Sequence, residues 1–193
     1  MPNWCSNVIT ITGPNKKLEK LWNEAQDNGL LHAMKPMPEQ LNDTVKGFGD
    51  ASKDDEQTET FEGYSNWYDW ALNYWGTKWD VDTDGLEFED HGDGTASING
   101  WFESAWCQPT EAFENYCAEN TDVEIHNAWY EPGMDAGGVW NGIDNEEFIE
   151  DLTEAYENGT GGELYQQLDE IFGITQEKDD YDEDWDDEDE QAL

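Results

Sequence analysis

Ser6-Asn7-Val8-Ile9-Thr10-Ile11-Thr12 alternates β-branched and polar side chains, and Gly13-Pro14-Asn15 follows at once. That alternation predicts a strand over residues 6–12, stopped by a turn. Leu18, Leu21, Trp22 and Ala25 then recur at i, i+3, i+4 and i+7, one apolar stripe of a helix over 16–27 that Asn28-Gly29 closes. The chain opens strand then helix.

Working outward, Leu86-Glu87-Phe88-Glu89 alternates as a half-buried strand, His91-Gly92-Asp93-Gly94 is a turn cluster, and residues 95–102 supply the return strand of a hairpin. Pro109 starts a helix with Phe113, Tyr116 and Cys117 on one face, and Val123-Glu124-Ile125-His126 alternates toward Tyr130. Leaving aside an insertion, the order is βαββαβ. It predicts an α+β fold, the ferredoxin-like split βαβ sandwich: an antiparallel sheet with helices on one face.

The insertion spans 37–79. Residues 30–38 read as a short edge segment broken by Pro36 and Pro38, and 42–64 as a polar loop. Trp67, Trp70, Ala71 and Tyr74 share one helix face, capped by Ser65 or Asn66 and ended by Gly76. This sheet domain occupies 1–142, its last ten residues a Gly-rich stretch. Phe148, Ile149, Leu152 and Tyr156, then Leu164, Leu168, Ile171 and Phe172, mark two helices joined by Gly159 to Gly162. They predict a C-terminal helical hairpin over 143–173 that docks on the sheet or on a partner, followed by a disordered acidic tail, 174–193.

Charge dominates the rest of the reading. The 193 residues carry 48 acids against eight basic residues, all Lys, for a net charge of −40. Residues 1–142 hold 27 acids and seven Lys; 143–176 hold ten acids and no Lys; 177–193 hold eleven acids and Lys178. Arginine, the side chain best fitted to bidentate phosphate contacts, is absent, and the remaining charge repels a polyanion. Direct nucleic-acid binding is excluded on that ground, and a charged partner should be basic. Cys5, Cys107 and Cys117 form no C-x-x-C pair and are odd in number, which fits a reduced compartment. With no basic and apolar leader pattern and no run long enough for a membrane span, the expected location is the cytoplasm, that of the host cell if a phage encodes the chain.

Asp80-Val81-Asp82-Thr83-Asp84-Gly85 resembles the first half of a calcium loop, with oxygen ligands at alternate positions and Gly at the sharp turn. The twelfth position, where such a loop needs a bidentate Glu, is His91. Asp80, Asp82 and Asp84 are thus either part of a calcium site or an acidic surface loop. Scattered His32, His91 and His126 and the absence of nucleophile or phosphate-loop motifs argue against an enzyme.

Four segments carry a family resemblance: Met1-Pro-Asn-Trp-Cys-Ser-Asn7, Trp75-Gly-Thr-Lys-Trp-Asp80, Phe102-Glu-Ser-Ala-Trp106 with Pro109, and Tyr130-Glu131-Pro-Gly133 leading to Gly137-Gly138. Together they resemble the YubB/Api92-like ferredoxin-like family of bacteriophages and conjugative plasmids, over residues 1 to about 140. The resemblance implies a fold and a mobile-element origin; it implies no catalytic residue or cofactor. From the residues themselves, Trp4, Trp75, Trp79, Trp101 and Trp106 are expected to bury large ring areas.

The resulting expectation is an acidic interaction protein of a phage or mobile element, a DNA mimic that blocks a basic host protein such as a defence or nucleic-acid-binding factor. Its contact surface would be the acidic tail and the Lys-free helices 143–172, with Glu146, Glu147, Glu150, Asp151, Glu154 and Glu157 on the first of them. The alternative is a divalent-metal-binding module, or an accessory protein whose acidity serves only solubility or salt adaptation.

Overall fold

The structure, a computed structural model, describes residues 3–44, 60–143 and 145–176. Strand β1 (Trp4–Pro14) is central. It pairs antiparallel with β3 (Thr95–Ala105) on one side and β4 (Glu124–Glu131) on the other. β2 (Leu86–Asp90) flanks β3, β5 (Ala136–Trp140) flanks β4, and β6 (Glu146–Ile149) closes the far edge. The six-stranded sheet runs β2-β3-β1-β4-β5-β6, every neighbouring pair antiparallel.

Register explains why this order is stable. Ile11 lies opposite Ile98 on one side and Ile125 on the other, so three isoleucines cross one face in a row, all buried. Helices cover that face. α1 (Asn15–Asn28) brings Leu18, Leu21 and Ala25; α2 (Leu30–Met34) brings Leu30, Leu31 and Met34; α3 (Glu39–Asn42) brings Leu41. α4 (Trp67–Tyr74) adds Trp70 and Ala71, and α5 (Thr110–Glu119) adds Ala112, Phe113 and Tyr116. Each large apolar side chain fully buried here contributes about 1.5–3 kcal/mol. α4 starts at Asn66, whose side-chain oxygen accepts from the Asp69 N–H at 3.0 Å. Beyond its end Gly76 has φ 78, and a Cβ there would meet the Glu111 carboxylate of α5.

Several expectations are corrected. Helices pack on both faces, not one. α6 (Leu152–Asn158) and α7 (Gly162–Phe172) lie against the opposite face, where Leu152, Ala155, Tyr165, Leu168 and Ile174 cluster with Ala128, Tyr130 and Val139. The helical hairpin expected over 143–173 begins only at Leu152. Phe148 and Ile149 belong to β6, and their helix-like spacing with Leu152 and Tyr156 straddles a bend at Glu150. The Gly-rich stretch becomes β5 because glycine lets β6 approach: a Cβ at Gly138 would stand 2.5 Å from the Glu147 carbonyl oxygen and 2.7 Å from the Phe148 Cβ. The segment expected at an edge over 30–38 is largely the short helix α2. Ile174 is fully buried, and Thr175 N–H donates to Asp169 at 2.6 Å, so the packed chain runs past 173. Residues 177–193 of the expected tail, and 45–59 of the expected loop, lie outside the described residues. No described helix is long and apolar enough to cross a membrane.

Candidate functional site

One end of the sheet gathers four segments that are far apart in sequence: the start of β1, the end of β3, the end of β4, and the loop after α4. On the helix-covered face they are joined by a buried polar chain. Asn127 Nδ2 donates to Asn7 Oδ1 at 3.0 Å, and Asn7 Nδ2 donates to Ser104 Oγ at 2.9 Å and to the Cys5 carbonyl at 2.8 Å. Ser104 Oγ donates to the Cys107 carbonyl at 2.7 Å, and Cys107 Sγ to that of Gly76 at 3.1 Å. Thr77 Oγ1 closes the link to β3 through the Ala105 carbonyl at 2.8 Å. Glu131, also buried, accepts from the Gly133 N–H at 3.2 Å. The chain ties the strand ends together, while Asn127 Oδ1 and Glu131 Oε2 lie buried without a hydrogen-bond partner among the described residues. Burial pushes the Cys5 and Cys107 thiols up, which removes nucleophilic character.

The start of β1, the end of β3 and the 80–85 loop build a cavity of about 430 Å³, lined by Trp4, Asp82, Asp84, Gly85, Trp101 and Glu103 together with Asp80 and the core residues Val81 and Phe102. The register accounts for the grouping. Trp4 pairs with Ala105, Ser6 with Glu103 and Val8 with Trp101, so all six share the face turned away from α1. Gly85 ties the 80–85 loop to β3 by accepting from the Trp101 N–H at 3.0 Å. Its missing side chain matters: a Cβ would stand 3.0 Å from the Trp101 ring. Ser6 Oγ donates to Glu103 Oε1 at 3.1 Å, and Asp82 Oδ1 accepts from the Asp84 N–H at 3.2 Å.

The tryptophans depart from the expectation of burial. Only Trp75 of the five is buried; Trp101 is 60 % exposed, Trp4 46 % and Trp79 39 %. α7 lies against β4, β5 and β6, and among the described residues no helix packs over Trp101 and Val8 on the β1–β3 part of this face. Trp4 and Trp79 are in contact, with ring centroids 6.0 Å apart. Lys78 Nζ sits 4.4 Å from the Trp79 ring centroid and 5.3 Å from that of Trp106, so these indoles already hold a cation. Trp106 itself has φ 75, a strained backbone for a bulky residue, with its N–H donated to the Asn3 carbonyl at 2.9 Å.

The residues singled out as metal ligands go to different tasks. Asp80 caps α2 from the loop: Oδ1 accepts from the N–H groups of Leu31 and Val81, both at 2.7 Å, and Oδ2 from that of His32 at 2.9 Å. Burial nevertheless raises its pKa, with those three amides pulling the other way. Asp82 and Asp84 remain on the cavity rim. Among the described residues no group of three or more His, Cys, Asp or Glu could hold a metal ion. His32, His91 and His126 sit apart, the last two bonded to Thr95 and Ser97 and to Asn141 respectively.

The residues singled out for a partner are exposed but do not form one helical face. Glu146 and Glu147 edge the sheet on β6, and Glu146 accepts from Gln108 Nε2 at 2.8 Å. Glu150 lies in the bend, Asp151 caps α6 through the Glu154 N–H at 2.7 Å, and Glu154 and Glu157 ride on α6. Of the cavity residues, Trp101 was expected as a core ring and Glu103 only as part of a motif, neither as a site residue. Their signal is parity: Ser97, Asn99, Trp101 and Glu103 alternate on one side of β3, a lone indole among polar groups.

Comparison with protein-family models, with curated proteins and with solved structures finds no match to this chain.

Proposed function

We propose that this chain is an acidic interaction protein of a phage or other mobile element, which occupies a basic, normally nucleic-acid-binding surface on a host protein. The observation that carries the reading is uncompensated charge. Against 48 acids and eight Lys, ion pairs between described residues are Lys17 with Asp122 and Lys35 with Glu62. With six acids for every Lys, most carboxylates have no cation of their own by count alone. A duplex presents about one charge per ~1.7 Å, and a folded carboxylate array is suited to compete for the same groove.

Residues 4–131, taken alone, order their strands β2-β3-β1-β4 with α1 and α5 as the two long crossovers, which supports a ferredoxin-like split βαβ. Convergence of the four motif segments at one sheet end supports the resemblance to the YubB/Api92-like family. The metal-module alternative draws no support from Asp80, whose oxygens serve α2.

The test is capture from bacterial host lysate on the immobilised full chain. Expected is retention of a basic nucleic-acid-binding protein at low salt, with elution by duplex DNA and by ~1 M salt. Retention of nothing basic, or retention indifferent to both eluants, sinks the reading.

A further inference from the structure

We propose that the cavity between Trp4 and Trp101 is a receptor for an arginine side chain presented by the basic partner; this rests on the function proposed above and names where that partner is gripped. Three features point to a guanidinium. First, the walls are indole: Trp101 and Trp4 are 60 % and 46 % exposed, an unusual use of large aromatic surface unless something covers it. Second, Asp80, Asp82, Asp84 and Glu103 line the same cavity, and among the described residues no cation does. Third, the neighbouring indoles of Trp79 and Trp106 hold the Lys78 ammonium, so this end of the sheet already recognises cations by ring face.

Other occupants fit less well. An anion would face the carboxylates. A bare metal ion needs converging oxygens, and Asp80, the most enclosed carboxylate of the loop, is committed to the amides of Leu31, His32 and Val81. A guanidinium is planar, stacks on an indole, is weakly hydrated, and offers its edge N–H groups to carboxylates, which matches walls of one kind and a rim of the other. Lysine matches the charge but not the plane. The chain has no arginine with which to fill the site itself. At about 430 Å³ the cavity lies at the lower end of the ~300–1,000 Å³ range of ligand pockets, ample for one side chain.

Placement adds a reason for precision. Ser6 holds Glu103, the absence of a Cβ at Gly85 seats the Trp101 ring against the loop, and the buried chain from Asn127 to Gly76 fixes the strand ends behind it. The motif segments around Trp4, Asp80 and Phe102 therefore contribute both to the cavity and to its support.

The probe is a Gly-Ser peptide carrying three arginines, titrated calorimetrically into the full chain beside its lysine counterpart. The arginine peptide is expected to bind, and the lysine peptide more weakly. Trp101→Ala, and separately the pair Asp82→Asn with Asp84→Asn, should each weaken the arginine peptide roughly tenfold. Glu154→Gln with Glu157→Gln, on α6, should leave it unchanged. The exposed position of Trp101 keeps its variant folded, which a matching melting curve verifies, and the Asp pair supplies a second route. Equal binding by wild type and both cavity variants overturns the proposal, as does equal affinity for the two peptides or no binding of the arginine peptide. Lysate capture separates the two readings: loss of the cavity assignment with capture intact leaves the acidic function standing, whereas capture of nothing basic by the wild type removes the function.

Discussion

The two faces of the sheet are built from the same strands and treated in opposite ways. Behind β1, Ile9 and Ile11 meet the apolar sides of α1 through α5 in a cluster that runs from Leu18 to Trp140. In front, α6 and α7 cover only the β4–β6 side, and Trp4, Val8 and Trp101 are left to solvent. The difference separates two duties. One face supplies the stability that lets so acidic a chain fold, and the uncovered part of the other is free to present a surface. Burial and exposure are assigned to alternate residues of the same strand, since neighbours in β1 point opposite ways.

That assignment is broken first, and hardest, by Ile11→Ala. Ile11 is fully buried between Ile98 and Ile125, so a loss of about 2–5 kcal/mol is expected in urea unfolding. Val8→Ala, three positions earlier on the other face, should cost under about 1 kcal/mol. Comparable losses would mean that the second face is covered in solution. Next comes Gly138→Ala, where the new Cβ meets the Glu147 carbonyl oxygen at 2.5 Å and must push β6 away. About 1–3 kcal/mol should be lost, with faster amide exchange confined to β5 and β6. Exchange that stays slow in β6 contradicts the contact.

How much of this was legible follows from how local each signal is. β1 and α1 are written in short periods: Ile9 and Ile11 alternate, and Leu18, Leu21 and Ala25 repeat along a helix. β5 is not. Gly137 and Gly138 have no strand preference, and they pair because β6 approaches closely from beyond a turn. α2 has five residues, too few for a period, and its first amides are satisfied by Asp80, 49 positions from Leu31. The cavity was hidden for a related reason. Tryptophan reads as core mass in a composition, and only the long-range register of β1 on β3 puts Trp4, Glu103 and Trp101 on the uncovered side. The acidic partner residues were placed on one helix because Phe148 and Ile149 imitate its stripe.

A smaller effect comes from protons. Asp80 and Glu111 have pKa values raised by burial above their ordinary 3.8 and 4.5, so the folded state keeps these protons to higher pH than the unfolded chain. Their contribution to stability is complete below the ordinary values and is lost as pH rises through the folded ones. Asp93 and Asp122 have the opposite sign: bonds from Thr95 and from Lys17 lower them, and their contribution is present above 3.8 and lost as pH falls through the depressed values. Melting temperature should therefore rise as pH falls from neutral toward 4.5, the ordinary value of Glu111, with relief of net repulsion adding to it. In ~1 M NaCl, where the screening length is ~3 Å, the repulsive part fades and the remaining slope reports the buried carboxyls. A melting temperature independent of pH at that salt concentration would place the titration elsewhere.

The smallest effect expected is also the one that bears most on function. Trp101→Ala removes a ring that is 60 % exposed and anchored to the loop mainly through its backbone N–H, a bond the substitution keeps. Its unfolding free energy should stay within about 0.5 kcal/mol of wild type, far from the Ile11→Ala loss, although the deleted side chain is larger. A loss of several kcal/mol would show that the indole works as core and would return the uncovered face to a structural role. A near-zero change leaves a large aromatic group that folding does not need, and an indole kept in water at no benefit to stability is best explained by what it touches in a complex.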